Sequence, residues 1–419
     1  MVLKEDIEDA KQRLDAWWDH EIIDRPVVSY YFPNQRGKSW GYLDLWGEVW
    51  DLAENFDGIE PSLDGFEERA KRTFFGGESI PSYFPNYGPG IVAAAFGVEP
   101  IVGKRTVWFN RPTKPEEIVS LLESVKLNQN NEWYNRLLRI TEYAAKRANG
   151  DYHVSLTDLG GVLDILSSFL GPTNILLTMK RQPNLIDTCR EIILEKLIII
   201  YDKLQDIIEK YCEGCNTWLN IWCRKRYYPV QCDFIAMLNP KWFKRFALPD
   251  ILSQADHMDY MIYHMDGPNQ LPFLGEFIAS PQITAIQWVP GAGNPTQGAE
   301  EWIPLYKKIQ NSGKNVIIDA PPEYAQHLYN VLDIKKLYVR MYYSSREVSK
   351  YYLPTFIAGE NGKLIVDAIR WVKQKGEKRI NREELDAFLS IKNFNVDGKI
   401  KRSLIKEINS AFLGREYYG

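Results

Sequence analysis

The chain has 419 residues, 45% of them hydrophobic and 13 of them tryptophan, enough to bury one large core or two smaller ones. Its 51 basic and 55 acidic residues leave a net charge of −4 without any long basic block, which argues against a nucleic-acid or membrane-surface partner. No apolar run approaches membrane-spanning length, the charged opening MVLKEDIEDAKQRLDAWW lacks a signal-peptide core, and five cysteines in so long a chain read as thiols of a reducing cytoplasm.

In chain order, eight apolar or aromatic runs read as strands: 26–33, 79–86, 152–161, 216–225, 260–267, 283–291, 315–323 and 337–345. Several have few polar interruptions, the pattern of parallel strands covered on both faces. Between them lie amphipathic stretches: NEWYNRLLRITEYAAKRANG closed by Gly150, the long NLIDTCREIILEKLIIIYDKLQDIIEKYC, and NPKWFKRFALPDILSQADH, where Asn239 caps and Pro240 takes the first turn. The alternation predicts an α/β chain folded as a (β/α)8 TIM barrel over 1–375. An aromatic-rich N-terminal insertion (Trp40, Trp46, Trp50, Phe56, Phe66, Phe74, Phe75) decorates it, and a helical extension, 376–419, packs on its outside. The segments 34–75 and 291–299 are expected over the C-terminal mouth, because loops on that face carry the binding work.

In such a barrel the chemistry sits at the C-terminal strand ends. Those ends carry Asn86 and Tyr87, Asp158, Cys223 with Arg224, His264 with Asp266, Gln287 with Trp288, Asp319 with Glu323, and Tyr342 with Ser344. In YMIYHMDGPNQLPFLGEF the strand halts at Gly267-Pro268, and period-two alternation turns His264 and Asp266 to one side. That pair supplies two of the three protein ligands of an open zinc site, with Cys223, Asp319 or Glu323 as candidates for the third. The ordinary alternative is a buried histidine whose nitrogens bond to a carbonyl and to Asp266. Cys212 and Cys215 have CxxC spacing but no second pair, which favours structural thiols. GAGNPTQG lacks the Lys-Ser/Thr of a phosphate loop and reads as a turn over the pocket.

Three stretches carry a family resemblance. HVSLTDLGGVLDILSSFLGPTNILLTMKRQPNLI (153–186) resembles the third strand and helix of the uroporphyrinogen decarboxylase superfamily. QCDFIAMLNPKWFKRFALPDI (231–251) is similar to its aspartate, loop and Ser-Pro-x-x-Phe segment, and YHMDGPNQLPFLGEF followed by AIQW to its His-x-Cys-Gly-Asn stretch. The decarboxylases share an arginine-rich first-strand motif and an aspartate ending the second strand. Here Arg36 is the only arginine of YYFPNQRGKSW and Asn86 ends the second.

The resemblance is therefore nearer to the corrinoid-dependent methyltransferase branch. In that branch a His-x-Cys at the fifth strand and a cysteine at the eighth bind zinc. Asp266 stands at the first of those cysteine positions, and the eighth strand offers Ser344.

The resemblance implies methyl transfer to or from a corrinoid protein, with His264, Asp266 and Asp158 catalytic and zinc on His264 and Asp266. Asn86, Tyr87, Cys223, Arg224, Gln287, Trp288 and Asp319 would hold the substrate. The Asp-x-His-x-x-Gly loop of corrinoid-carrying domains is absent, so the corrinoid is expected on a separate partner protein. The other readings are a decarboxylase of a small acid anchored by Arg224 and Lys225, and a non-catalytic corrinoid-pathway binding protein.

Overall fold

In the computed structural model, which describes residues 2–34, 45–47, 52, 58–103, 106–320, 322–341, 368, 371–372, 375–376, 379–391, 401–402 and 405, the strands follow the apolar runs. They are β1 (Val28–Pro33), β2 (Thr73–Gly77), β3 (Ser82–Tyr83), β4 (Pro100–Val102), β5 (Val107–Phe109), β6 (His153–Val154), β7 (Tyr227–Gln231), β8 (Tyr260–Asp266), β9 (Ala285–Val289), β10 (Asn315–Asp319) and β11 (Leu337–Met341). Helices separate most of them, giving a mixed α/β fold with mainly parallel strands. The chain divides into two units, 1–5 with 43–70 and 80–294, and 6–42 with 71–79 and 295–419.

In the first unit β7, β8 and β9 run parallel and side by side, and β3 pairs in parallel with β6. One face of β8 carries Met261, Tyr263 and Met265, all fully buried, with the Tyr263 ring stacked on Phe277 of helix Leu274–Ala279 at 3.8 Å. That face is core; the other carries His264 and Asp266. Helix Glu132–Ala148 is capped by Asn131, whose side chain accepts from Tyr134 N. It ends one residue before the expected glycine, on Asn149 in the left-handed region (φ 40°), because asparagine tolerates that conformation. Asn239 caps helix Pro240–Phe246 as expected, and a second helix, Leu248–Ser253, starts where Pro249 removes an amide from the ladder.

The second unit holds β1 between antiparallel β2 and parallel β11, with β10 beyond β11. Its anchor is Glu78, fully buried, which accepts from Val28 N at 2.8 Å, from Arg25 at 2.7 and 2.9 Å, and from Arg13 at 3.5 Å. In the C-terminal segment, Asn381 and Glu384 form a reciprocal capping box at the start of helix Arg382–Ile391.

Three strand assignments change. Residues 216–225 do not form a strand: Cys215 and Cys223 exchange both backbone hydrogen bonds, at 2.7 and 2.9 Å, and Asn220 takes φ 52°, so the segment doubles back. The fourth parallel strand is β7 instead, which sequence reading passes over because Pro229 lies at its centre. The runs at 79–86 and 152–161 contract to β3 and β6. Phe74 and Phe75 belong to β2, and Phe74 stacks on Phe32 at 5.1 Å.

Trp46 is core, its indole donating to Ser82 O at 2.7 Å. Arg36, Trp40, Trp50, Phe56, Tyr342, Ser344 and the Glu323 side chain lie outside the described residues, as does most of the tail beyond 391. No disulfide joins any of the five cysteines, and all are buried. Among the described residues no single helix is long and apolar enough to cross a membrane.

Candidate functional site

Parallel register assembles the site. Gln231 of β7 lies opposite His264 of β8, and His264 lies opposite Gln287 of β9. Side chains at matched positions of neighbouring strands share a face. Three polar groups therefore stand in a row near the C-terminal strand ends, in a region where the opposite face is aromatic core.

The row is wired by hydrogen bonds. His264 Nδ1 lies 2.6 Å from Gln287 Oε1, and Gln231 Nε2 donates to Asp158 Oδ1 at 3.0 Å. Asp158 Oδ1 also accepts from Gly160 N at 2.8 Å. The indole of Trp218 meets the His264 ring edge to face, with centroids 5.1 Å apart and planes at 86°. Beyond the row come three more carboxylates. Asp266 is on the His264 face of β8, and Asp164 accepts from Asp233 N at 3.1 Å and Phe234 N at 2.8 Å, holding the short turn that follows β7. Gly161 makes that approach possible: a Cβ there would sit 2.4 Å from Asp164 Oδ2 and 2.5 Å from Gln231 O.

Burial dominates the electrostatics. It pushes the Asp158 carboxyl up to about 6, against the Gly160 and Gly90 amides and the charge of His264, with Asp233 adding repulsion. Asp164 is raised by burial and then by Asp233. Asp233 reaches solvent, yet desolvation by the protein around it still raises its carboxyl against the pull of His264. No lysine or arginine forms an ion pair with Asp158, Asp164, Asp233 or Asp266 among the described residues. The cluster is therefore an acid–imidazole site, able to hold or pass protons and to accept hydrogen bonds.

Of the residues expected at the site, His264, Asp266, Asp158 and Gln287 come together here. Trp288 does not: it pairs with Met265 on the opposite face and is fully buried, because alternation separates it from Gln287. Tyr87 is core against Trp133, with its hydroxyl's pKa raised by burial. Asn86 braces its own loop, donating to Gly47 O and accepting from Gly88 N. Cys223 is buried and accepts from Lys225 N. Arg224 is half-exposed and paired with Glu213 at 2.5 Å. Asp319 is locked bidentate to Arg340, at 2.6 and 2.8 Å.

Gln231, Asp233, Asp164 and Trp218 are additions that residue-by-residue reading did not single out. The first two were reachable by placing a strand over YYPVQ.

An open zinc site needs a third protein ligand. Among the described residues no three His, Cys, Asp or Glu side chains converge to hold an ion, and two of the expected contributors, Cys223 and Asp319, are engaged as above. The described donors alone do not complete the zinc centre that the resemblance implies.

No family model matches the chain, and no curated protein does. Fourteen chains of solved structures are similar. One is a methyltransferase from Methanosarcina mazei, with a TM-score of 0.52 at 12% identity over 80% of this chain and 94% of that one. The likeness is one of fold.

Proposed function

We propose that the protein is a methyltransferase on a (β/α)8 barrel, moving a methyl group between a small uncharged or cationic substrate and a corrinoid carried by a separate protein. The observation that carries this reading is the row of Asp158, Gln231, His264 and Gln287, overlaid by Asp164, Asp233 and Asp266, none of whose carboxylates pairs with a lysine or arginine among the described residues. Such a site repels carboxylate substrates, which need fixed cationic partners. It suits a neutral or positive heteroatom that gains or loses a methyl group. The likeness in fold to a methyltransferase supports it, and the corrinoid partner rests on the sequence resemblance.

In this mechanism the corrinoid is the second substrate. The chain's residues orient the heteroatom against His264 and Asp266, exclude water with Trp218, and hold or release a proton at the heteroatom. Decarboxylation of a small acid is disfavoured because its proposed anchor is engaged elsewhere: Arg224 pairs with Glu213, and Lys225 donates to Tyr260 OH at 3.2 Å.

The test incubates purified protein with cob(I)alamin and a panel of methylated amines, ethers and thioethers, and with methylcobalamin and the demethylated partners, following the cobalamin spectrum. Conversion with at least one compound is expected, lost in His264→Ala. No conversion with any of them, together with carbon dioxide release from a small acid, would overturn the reading in favour of a decarboxylase.

A further inference from the structure

We infer that Gln287 is a positioning residue that fixes His264 in its Nδ1–H tautomer, leaving Nε2 as the proton-accepting atom of the site. The inference deepens the methyl-transfer reading and rests on it for its effect on rate. An amide oxygen only accepts, so a contact of 2.6 Å between Gln287 Oε1 and His264 Nδ1 requires the hydrogen to be on Nδ1. Gln287 presents its amide oxygen, not its nitrogen, to the ring. It is 2% exposed, lies in a paired strand, and its neighbours Ile286 and Trp288 are fully buried.

The ring is held from its other sides as well. Trp218 sets its plane, and on the β7 side the register partner Gln231 is committed to Asp158. The charged groups acting with His264 are Asp158 and Asp233, with Asp266 two residues along its own strand.

This defines the substrate atom. What faces Nε2 must be a hydrogen-bond donor, an X–H group where X is nitrogen, oxygen or sulfur. When X attacks the methyl carbon, the X–C bond forms and the bond from carbon to the methyl donor breaks with its electron pair left on the donor. The X–H proton passes to Nε2. In the reverse direction the imidazolium returns that proton to X as the methyl departs.

The test uses the full chain with ring-15N-labelled histidine. The sequence has five histidines, and His264→Gln identifies the signals of interest by their loss. The expected neutral-form spectrum has the hydrogen on Nδ1 and an unprotonated Nε2. Gln287→Glu keeps an acceptor in place, so it should retain this tautomer. Gln287→Met should abolish the Nδ1–H preference and lower kcat by about 10²–10⁴-fold with little change in KM, the range for a misplaced general base.

A wild-type ring protonated on Nε2, or a tautomer unchanged in Gln287→Met, overturns the inference. Should Gln287→Met not fold, the wild-type and Gln287→Glu spectra decide alone. The expected tautomer without any methyl transfer would leave this inference standing and sink the functional reading.

Discussion

Replacing Asp158 by asparagine tests whether the site holds a carboxyl that burial keeps protonated well above the ordinary carboxylate range. The folded-state pKa is raised from an ordinary 3.8 to about 6. A raised acid binds its proton more tightly when folded, so the associated stability is fully present below 3.8 and is lost as pH rises through about 6. At 1.36 kcal/mol per pKa unit, the ionised group costs about 3 kcal/mol at pH 8 and about 1.6 kcal/mol at pH 5. Relative to Asp158→Asn, the wild type should therefore lose about 1.4 kcal/mol between these two conditions.

The substitution also has a constant cost, since an asparagine amide must sit among donors from Gly160, Gly90 and Gln231. That cost cancels in the difference between pH values. The groups whose charges act on Asp158, His264 and Asp233, are common to both proteins. Urea unfolding of the two proteins at pH 5 and pH 8 measures the quantity. A stability gap that does not change with pH would refute the argument that burial governs this carboxyl.

Three further outcomes follow from geometry. Glu78→Gln removes the charge shared by two buried arginines and should destabilise the protein by about 3–5 kcal/mol, read as a lower urea midpoint. Gly161→Ala drives a methyl group into Asp164 Oδ2 and Gln231 O, so about 1–3 kcal/mol of stability should go, with methyl transfer impaired as the turn after β7 shifts. Arg224→Ala breaks a half-exposed ion pair with Glu213 and removes the guanidinium from over the Trp222 ring, and should cost about 1 kcal/mol with activity intact; loss of activity would revive the decarboxylase reading.

Much of the parallel framework could be read from continuous apolar runs, because strands covered on both faces leave no polar interruption to confuse the period. The same logic found His264 and Asp266, two residues apart at the end of the longest such strand. It failed at YYPVQ, where a proline looks like a strand breaker but pairs opposite Ile262. It failed again at NTWLNIWCRK, whose aromatic run doubles back on itself through Asn220.

Trp288 shows a different limit. A run of apolar residues does not reveal which alternate face is core, so Gln287 and Trp288 looked like one lining when they are on opposite sides. Gln231 and Asp164 could not be identified from isolated residues. Their roles come from cross-strand register and from contacts about 70 positions apart in the chain.

The burial of every cysteine gives the molecule an internal record of its own opening. A thiol must be both reachable and ionised before it reacts with an alkylating reagent, and burial pushes Cys189 and Cys215 up to about 12. Modification at neutral pH therefore counts excursions from the native state rather than surface chemistry. Because Cys189 lies within helix Pro183–Glu209 and Cys215 closes the doubled-back segment with Cys223, their separate labelling rates would time the detachment of that helix and the unzipping of that loop. Neither observation would require an engineered reporter residue.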